Sequence, residues 1–151
     1  MLFKEYSHQY WMSQAIDLAR NTKKDVPIAA LIIKNDVLIS TGINEIEDLQ
    51  DATAHAEILA IRNASNKLGN WRLTDCTLYT TLEPCSMCTG AIINSRILKL
   101  VFGAYDVKAG ACGSAIDLFK DLNKINQIEV IGGILELEAS KLLKDFFHQI
   151  R

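Results

Sequence analysis

The chain moves between two hydrophobic rhythms. Trp11, Ala15, Leu18 and Ala19 recur at helical spacing, which predicts an amphipathic first helix over 5–20. Pro27 then opens an apolar run at 28–33, and Lys34, Asn35 and Asp36 turn the chain into a second run at 37–41, the pattern of a hairpin. A helix follows over 54–68, with Thr53 expected to cap it and Gly69 to end it, so that His55 falls in its first turn. Further strands are predicted at 77–81, 97–102 and 128–131, a short helix at 86–94, a helical turn at 116–119 and a closing helix at 136–149. Helices alternating with strands give a sheet covered on both faces. The hairpin requires an antiparallel pair, so the expected fold is a three-layer α/β/α arrangement around a mixed five-stranded sheet.

At 151 residues the chain reads as one domain, 1–151, long enough for a proper core. No apolar run approaches the roughly 20 residues that span a bilayer, so no membrane partner is expected. The first residues lack an apolar signal region and a small-residue cleavage site, which points to the cytoplasm, or to an organelle after loss of a leading segment. A net charge of −2 argues against broad nonspecific nucleic-acid binding but leaves room for a local basic patch. The four cysteines should be reduced in such a compartment. Cys76 and Cys112 read as buried small residues, whereas Cys85 and Cys88 are spaced for one metal ion or a redox pair.

The strongest chemical signal is His55-Ala56-Glu57 followed by Pro84-Cys85-Ser86-Met87-Cys88. A CxxC at a helix start lies near unpaired N–H groups and the positive dipole end, which favours the metal-binding thiolates. Two thiolates and a neutral imidazole balance a zinc dication, leaving a fourth position for water. Glu57, beside the metal but not on it, can take and deliver protons. A CxxC alone is more often a structural zinc or redox half-site. A closed structural site would need a fourth protein ligand, however. Cys76 stands a whole strand away, and His8 and His148 lie in terminal helices. The residues therefore predict His55, Cys85 and Cys88 as zinc ligands, one Zn2+ per subunit, with Glu57 as the catalytic carboxylate.

The His-x-Glu and Pro-Cys-x-x-Cys motifs, together with the stretches 25–33 (DVPIAALII), 53–62 (TAHAEILAIR), 70–75 (NWRLTD), 77–97 (TLYTTLEPCSMCTGAIINSRI) and 101–114 (VFGAYDVKAGACGS), resemble the bacterial-type tRNA-specific adenosine deaminases. The resemblance covers about residues 5–150 and places the chain in the cytidine deaminase-like superfamily. The zinc motif is common to deaminases of several bases; the blocks 95–97 and 102–110 are more particular to the tRNA enzymes. The resemblance implies hydrolytic conversion of adenosine to inosine at the wobble position of a tRNA anticodon, with zinc-activated water and Glu57 handling protons. It implies that Asn44 and the backbone at Ala56 read the base, that Val26 walls the pocket, and that Asp106 and Lys108 contact neighbouring anticodon nucleotides. Tyr105 in the same loop could stack on a base, and Arg96, Lys99 and Lys108 make the segment locally positive. The implied partners are a tRNA anticodon stem-loop and a second copy of the chain in a homodimer.

Several positions depart from the family pattern. Ala30 or Ala29 stands where relatives often carry glycine, a packing change expected to be harmless. Glu45, Glu47, Asp48 and Asp51 occupy a stretch that is commonly more basic, and near a pocket mouth they would repel phosphate. The familiar Asn-His-Arg before the last strand is replaced by residues 123–127, and the closing helix is charge-balanced, so RNA affinity is expected to be weak and strongly salt-dependent. The acidic stretch and low net charge favour the alternative of a free-base or nucleoside deaminase acting on guanine or cytosine, against which the segment 105–114 stands. A metal-stabilised scaffold without activity is the third reading, and Glu57 opposes it.

Overall fold

A computed structural model describes residues 6–122 and 127–150. Helix α1 (His8–Ala19) begins at Ser7, whose hydroxyl accepts the Tyr10 N–H, the capping that serine supplies at a helix start. Strands β1 (Ala29–Lys34) and β2 (Val37–Ile43) form the expected antiparallel hairpin. Its two turn residues, Asn35 and Asp36, both adopt positive φ (50° and 59°), the requirement of a tight hairpin turn that asparagine and aspartate meet at low cost. A four-residue helix, α2 (Ile46–Leu49), precedes α3 (Ala56–Leu68), which ends at Gly69 in the left-handed region as its sequence predicts.

The start of α3 differs from expectation. Thr53 does not cap it; the Thr53 N–H and hydroxyl both bond Asp51 Oδ1, closing a local turn. The N-cap is His55 itself, in extended backbone and with no side-chain cap bond. His55 therefore stands before the first helical turn, not in it.

β3 (Cys76–Leu82), α4 (Ser86–Asn94) and β4 (Lys99–Ala104) follow, then α5 (Leu118–Leu122), β5 (Glu129–Ile131) and α6 (Glu136–Gln149). The fourth strand runs two residues later than predicted: α4 ends in a turn at Ser95 and Arg96, and Ile97 and Leu98 join that turn to the strand. The sheet order is β2-β1-β3-β4-β5. β1 pairs antiparallel with β2 and β3, while β3–β4 and β4–β5 are parallel, so the five-stranded sheet is mixed as expected.

The unbroken apolar character of the central strands is explained by burial on both faces. Ala30, Ile32, Leu78, Leu100 and Phe102 pack with Ala56, Ala60 and Ala64 of α3, Ile92 of α4 and Phe119 of α5. The intervening Leu31, Ile33, Tyr79 and Val101 pack on the other face against Trp11, Met12, Ala15 and Ile16 of α1 and Ala139 of α6. The three-layer architecture follows. Ala29 and Ala30 are fully buried in this packing. Residues 123–126, part of the segment that replaces the Asn-His-Arg pattern, lie outside the described residues, as does Arg151. Among the described residues no helix is long and apolar enough to cross a membrane.

Candidate active site

The site forms where the parallel strands end and two helices begin, the usual binding position of open α/β sheets. α3 opens at His55 and α4 at Cys85. Both N-cap residues have φ −73° with ψ in the extended range, and neither side chain caps its own helix. Their side chains are thus free to meet. Cys85 Sγ lies 3.6 Å and Cys88 Sγ 3.5 Å from His55 Nδ1.

All three donor atoms lie within 4.8 Å of one another, and this is the His, Cys, Asp and Glu group among the described residues that could hold a metal ion. Zinc–sulfur and zinc–nitrogen bonds of about 2.3 and 2.0 Å at tetrahedral angles require sulfur–nitrogen separations of about 3.5 Å. The donor set fits zinc in both chemistry and spacing.

The alternative fourth ligands are elsewhere. Cys76 is at the far end of β3, and His8 Nδ1 is hydrogen-bonded to the Tyr79 hydroxyl at 2.7 Å. His148 sits in the last turn of α6.

Glu57 follows in the first turn of α3 and is 4% exposed. Burial, the largest of the influences on it, pushes its carboxyl pKa up. Cys85 is held down at about 5, first by a hydrogen bond from the Cys88 thiol, against burial, and then by backbone and His55 contributions. Cys88 moves up for the reciprocal reason. One thiolate is therefore ready at neutral pH even before a metal arrives.

His55, Glu57 and Cys85 line a cavity of about 610 Å³, a volume suited to a nucleoside or base. Val26 and Asn44 line it as well, and so do Asp106 and Lys108 from the loop after β4. Ala56 is fully buried, and its N–H donates to Asn44 Oδ1 at 3.0 Å, while Asn44 Nδ2 donates to the Val26 carbonyl at 3.2 Å. The two groups expected to read a base are therefore bonded to each other here, and Asn44 ties the first turn of α3 to the segment before β1. Asp106 Oδ1 accepts the N–H groups of Lys108 and Ala109, which leaves that oxygen engaged within its own loop. Tyr105 is about half exposed, lines the cavity and meets Phe102 edge-on at 5.2 Å.

Charge is distributed differently from the expectation. Lys99 is at the other end of β4 from the cavity, about 20 Å along the strand from Tyr105, and pairs with Glu129 at 3.6 Å. Arg96 lies further back still along the chain, so Lys108 alone of the three cations reaches the cavity wall. Ile46 lines the cavity, whereas Glu45, Glu47, Asp48 and Asp51 are not among its lining residues; Asp48 pairs with Lys24 at 3.7 Å and Asp51 holds Thr53. Cys76 is buried as expected, but Cys112 is only half-buried, next to the Thr89 hydroxyl at 3.4 Å.

Glu83, Leu143 and Phe147 are among the lining residues to which the sequence assigned no role. Glu83 could have been suspected, since a carboxylate directly after a buried strand and before Pro84 must find partners. Leu143 and Phe147 carry no local signal; they reach the cavity because α6 packs across the same end of the sheet.

A family model described as MafB19-like deaminase matches residues 6–151. Relatives named tRNA-specific adenosine deaminase include one from Bacillus subtilis, 42% identical over 145 residues, which covers 95% of this chain and 90% of the relative. Another, from Haemophilus influenzae, is 43% identical and covers 93% of this chain and 83% of its own length. A chain solved in work on A-to-I editing by tRNA:A34 deaminases superposes with a TM-score of 0.85 at 38% identity, covering 89% of this chain and 99% of that one. A guanine deaminase from Nitrosomonas europaea superposes at 0.80 with 27% identity, covering 95% and 86%. Fold and site thus define a hydrolytic deaminase. The chain belongs to the MafB19-like deaminases and to the tRNA-specific adenosine deaminase family.

Proposed function

We propose that this enzyme converts adenosine to inosine at the wobble position (34) of a tRNA anticodon, with one Zn2+ per subunit held by His55, Cys85 and Cys88. The observation that carries the reading is the meeting of those three donors beside buried Glu57, with His55, Cys85 and Glu57 on the cavity wall. A zinc ion held there would supply a water of lowered pKa. Glu57 would take one proton from that water and deliver it to a ring nitrogen of the base, then carry the second proton to the departing ammonia. Its burial suits the task, since a carboxylate shielded from bulk water holds and releases protons at higher pH than an exposed one.

Asn44, the Ala56 N–H and Val26 orient the base once it leaves the anticodon loop, an excursion that costs less from a loop than from a duplex. For Asn44 and Ala56 this exchanges their mutual hydrogen bond for bonds to the base. Asp106 and Lys108, on the rim, meet the neighbouring nucleotides. The whole chain acts as one deaminase domain, in the cytoplasm where its substrate is, and as a homodimer, because an anticodon stem-loop exceeds what one small domain encloses.

Incubation of the zinc-loaded protein at low salt with a tRNA bearing adenosine at the wobble position tests the reading. Inosine is expected there, and its absence overturns the proposal. The likeness to the Nitrosomonas europaea guanine deaminase supports a second reading, deamination of a free base. Ammonia from guanine or cytosine, with none from tRNA, would select it.

A further inference from the structure

Glu83 is 2% exposed, and its carboxylate sits under the loop that follows β4. Oε1 accepts the Asp106 N–H at 3.2 Å and the Ser114 hydroxyl. Oε2 accepts the N–H groups of Cys112 and Ser114, each at 3.1 Å. Among the described residues no cation forms a salt bridge with it. The compensation for burying this carboxylate comes from loop dipoles, converging on it as backbone N–H groups do in an anion-binding nest.

The backbone repeats the connection. The Glu83 N–H donates to the Ala104 carbonyl and the Ala111 N–H to the Pro84 carbonyl, both at 2.8 Å. Gly110 passes directly over the carboxylate. A Cβ there would fall 2.4 Å from Glu83 Cδ and 2.5 Å from both Glu83 Oε2 and the Asp106 carbonyl, so only glycine fits. Two glutamates line the cavity, and they are built differently. Glu57 stands beside the metal ligands; Glu83 has two donors on each oxygen and all of them come from the 106–114 loop.

We infer that Glu83 is a positioning residue for substrate binding, clamping the 106–114 loop onto the turn that supplies Cys85. The rim carrying Asp106 and Lys108 is then registered to the metal site through one side chain. Which substrate meets that rim rests on the function proposed above; the clamp itself does not.

Glu83→Gln keeps the volume but turns one acceptor into a donor, so at least one loop N–H loses its partner. Gly110→Ala strains the same contact from the loop side and leaves the carboxylate unchanged. For both variants the expected result has two parts. KM for an anticodon stem-loop with adenosine at the wobble position rises about tenfold, the scale of one lost charge-assisted hydrogen bond. The turnover number and zinc content stay near those of the unaltered protein. In parallel, hydrogen exchange at the Asp106, Cys112 and Ser114 amides accelerates by about tenfold or more, while the amides of α3 and β3 keep their protection.

Unchanged exchange at those three amides in Glu83→Gln would overturn the inference. So would a fall in turnover with KM unmoved, which would put Glu83 in the chemistry, and so would a loss of protection spread over the whole chain. If the unaltered protein makes no inosine at all, the proposed function fails while the exchange data still decide the clamp.

Discussion

His55 and Cys85 hold equivalent posts, each the N-cap of its helix, and their donor atoms stand 3.6 Å apart. A serine or aspartate at either post would spend its side chain on the helix's own N–H groups. Here both side chains are released toward a common point, and each helix directs its positive end at the same place. Cys88, in the first turn of α4, completes the set.

Metal content follows from this geometry. The purified protein is expected to hold one zinc per chain, and His55→Ala or Cys88→Ala to lose both the metal and ammonia release. Glu57→Gln should instead retain the zinc and lose about 10²- to 10⁴-fold in turnover, the usual contribution of a general acid–base group. Elemental analysis beside an ammonia assay separates the two classes. A Glu57→Gln protein that turned over normally would remove the carboxylate from the mechanism.

The thiols should differ in reactivity once the metal is stripped. Cys85, at about 5, is a thiolate at pH 7, whereas Cys88 is held up by its hydrogen bond to Cys85 and by burial. Burial also raises Cys76 and pushes Cys112 up to about 12. Iodoacetamide at pH 7 is expected to label Cys85 first, and zinc to protect it. Peptide mass mapping reads the order; even labelling of all four thiols would contradict it.

Gly42 lies in β2 where α3 crosses the sheet. A Cβ at this position would stand 2.2 Å from the Ala56 carbonyl and 2.7 Å from the Ala60 nitrogen, both of them backbone. Gly42→Ala should destabilise the fold by about 1–3 kcal/mol, as overpacking does, or more because backbone cannot rotate away. Displacing the start of α3 also moves His55, so zinc should bind more weakly. Urea titration with and without zinc measures both effects.

Tyr79 is pushed up to about 12, mainly by burial and then by the charge of Asp36. The folded state thus favours the neutral phenol. This contribution to stability is complete below the ordinary tyrosine value near 10 and is lost as pH rises from about 10 to 12. Tyr79→Phe should flatten stability against pH in that window. At pH 7 it should cost about 1 kcal/mol, because His8 Nδ1 loses its 2.7 Å partner. An unaltered alkaline slope in the variant would refute the assignment.

Lys108 is the cation on the cavity wall. If it meets a phosphate, Lys108→Ala should weaken stem-loop binding and reduce the slope of log affinity against log salt by about 1, with no dependence on the neighbouring sequence. Fluorescence anisotropy across a salt series gives the slope directly. An unchanged slope would place the loop away from the RNA backbone.

Much of this protein was legible along the chain, because the signals concerned are local. The Asn35 and Asp36 turn, the Gly69 stop, the doubly apolar central strands and the His55, Glu57, Cys85 and Cys88 pattern each depend on residue type and short-range spacing. They determined a three-layer mixed sheet and pointed to a candidate metal site beside a carboxylate. The misreadings share a different cause. Thr53 was a plausible cap until Asp51 took its hydroxyl, and Arg96, Lys99 and Lys108 were a patch only while strand β4 was not yet extended between them.

Tertiary structure alone decided the rest. The parallel pairing of β3 with β4 sets the loop after β4 beside the Cys85 turn, which is what lets Glu83 clamp it and lets Gly110 pass over the carboxylate. The same packing brings α6 across the cavity end and bonds Asn44 to the Ala56 N–H. Sequence spacing carries no record of such pairings. They arise from which strand ends share an edge, and that is settled only when the two faces of the sheet are buried together.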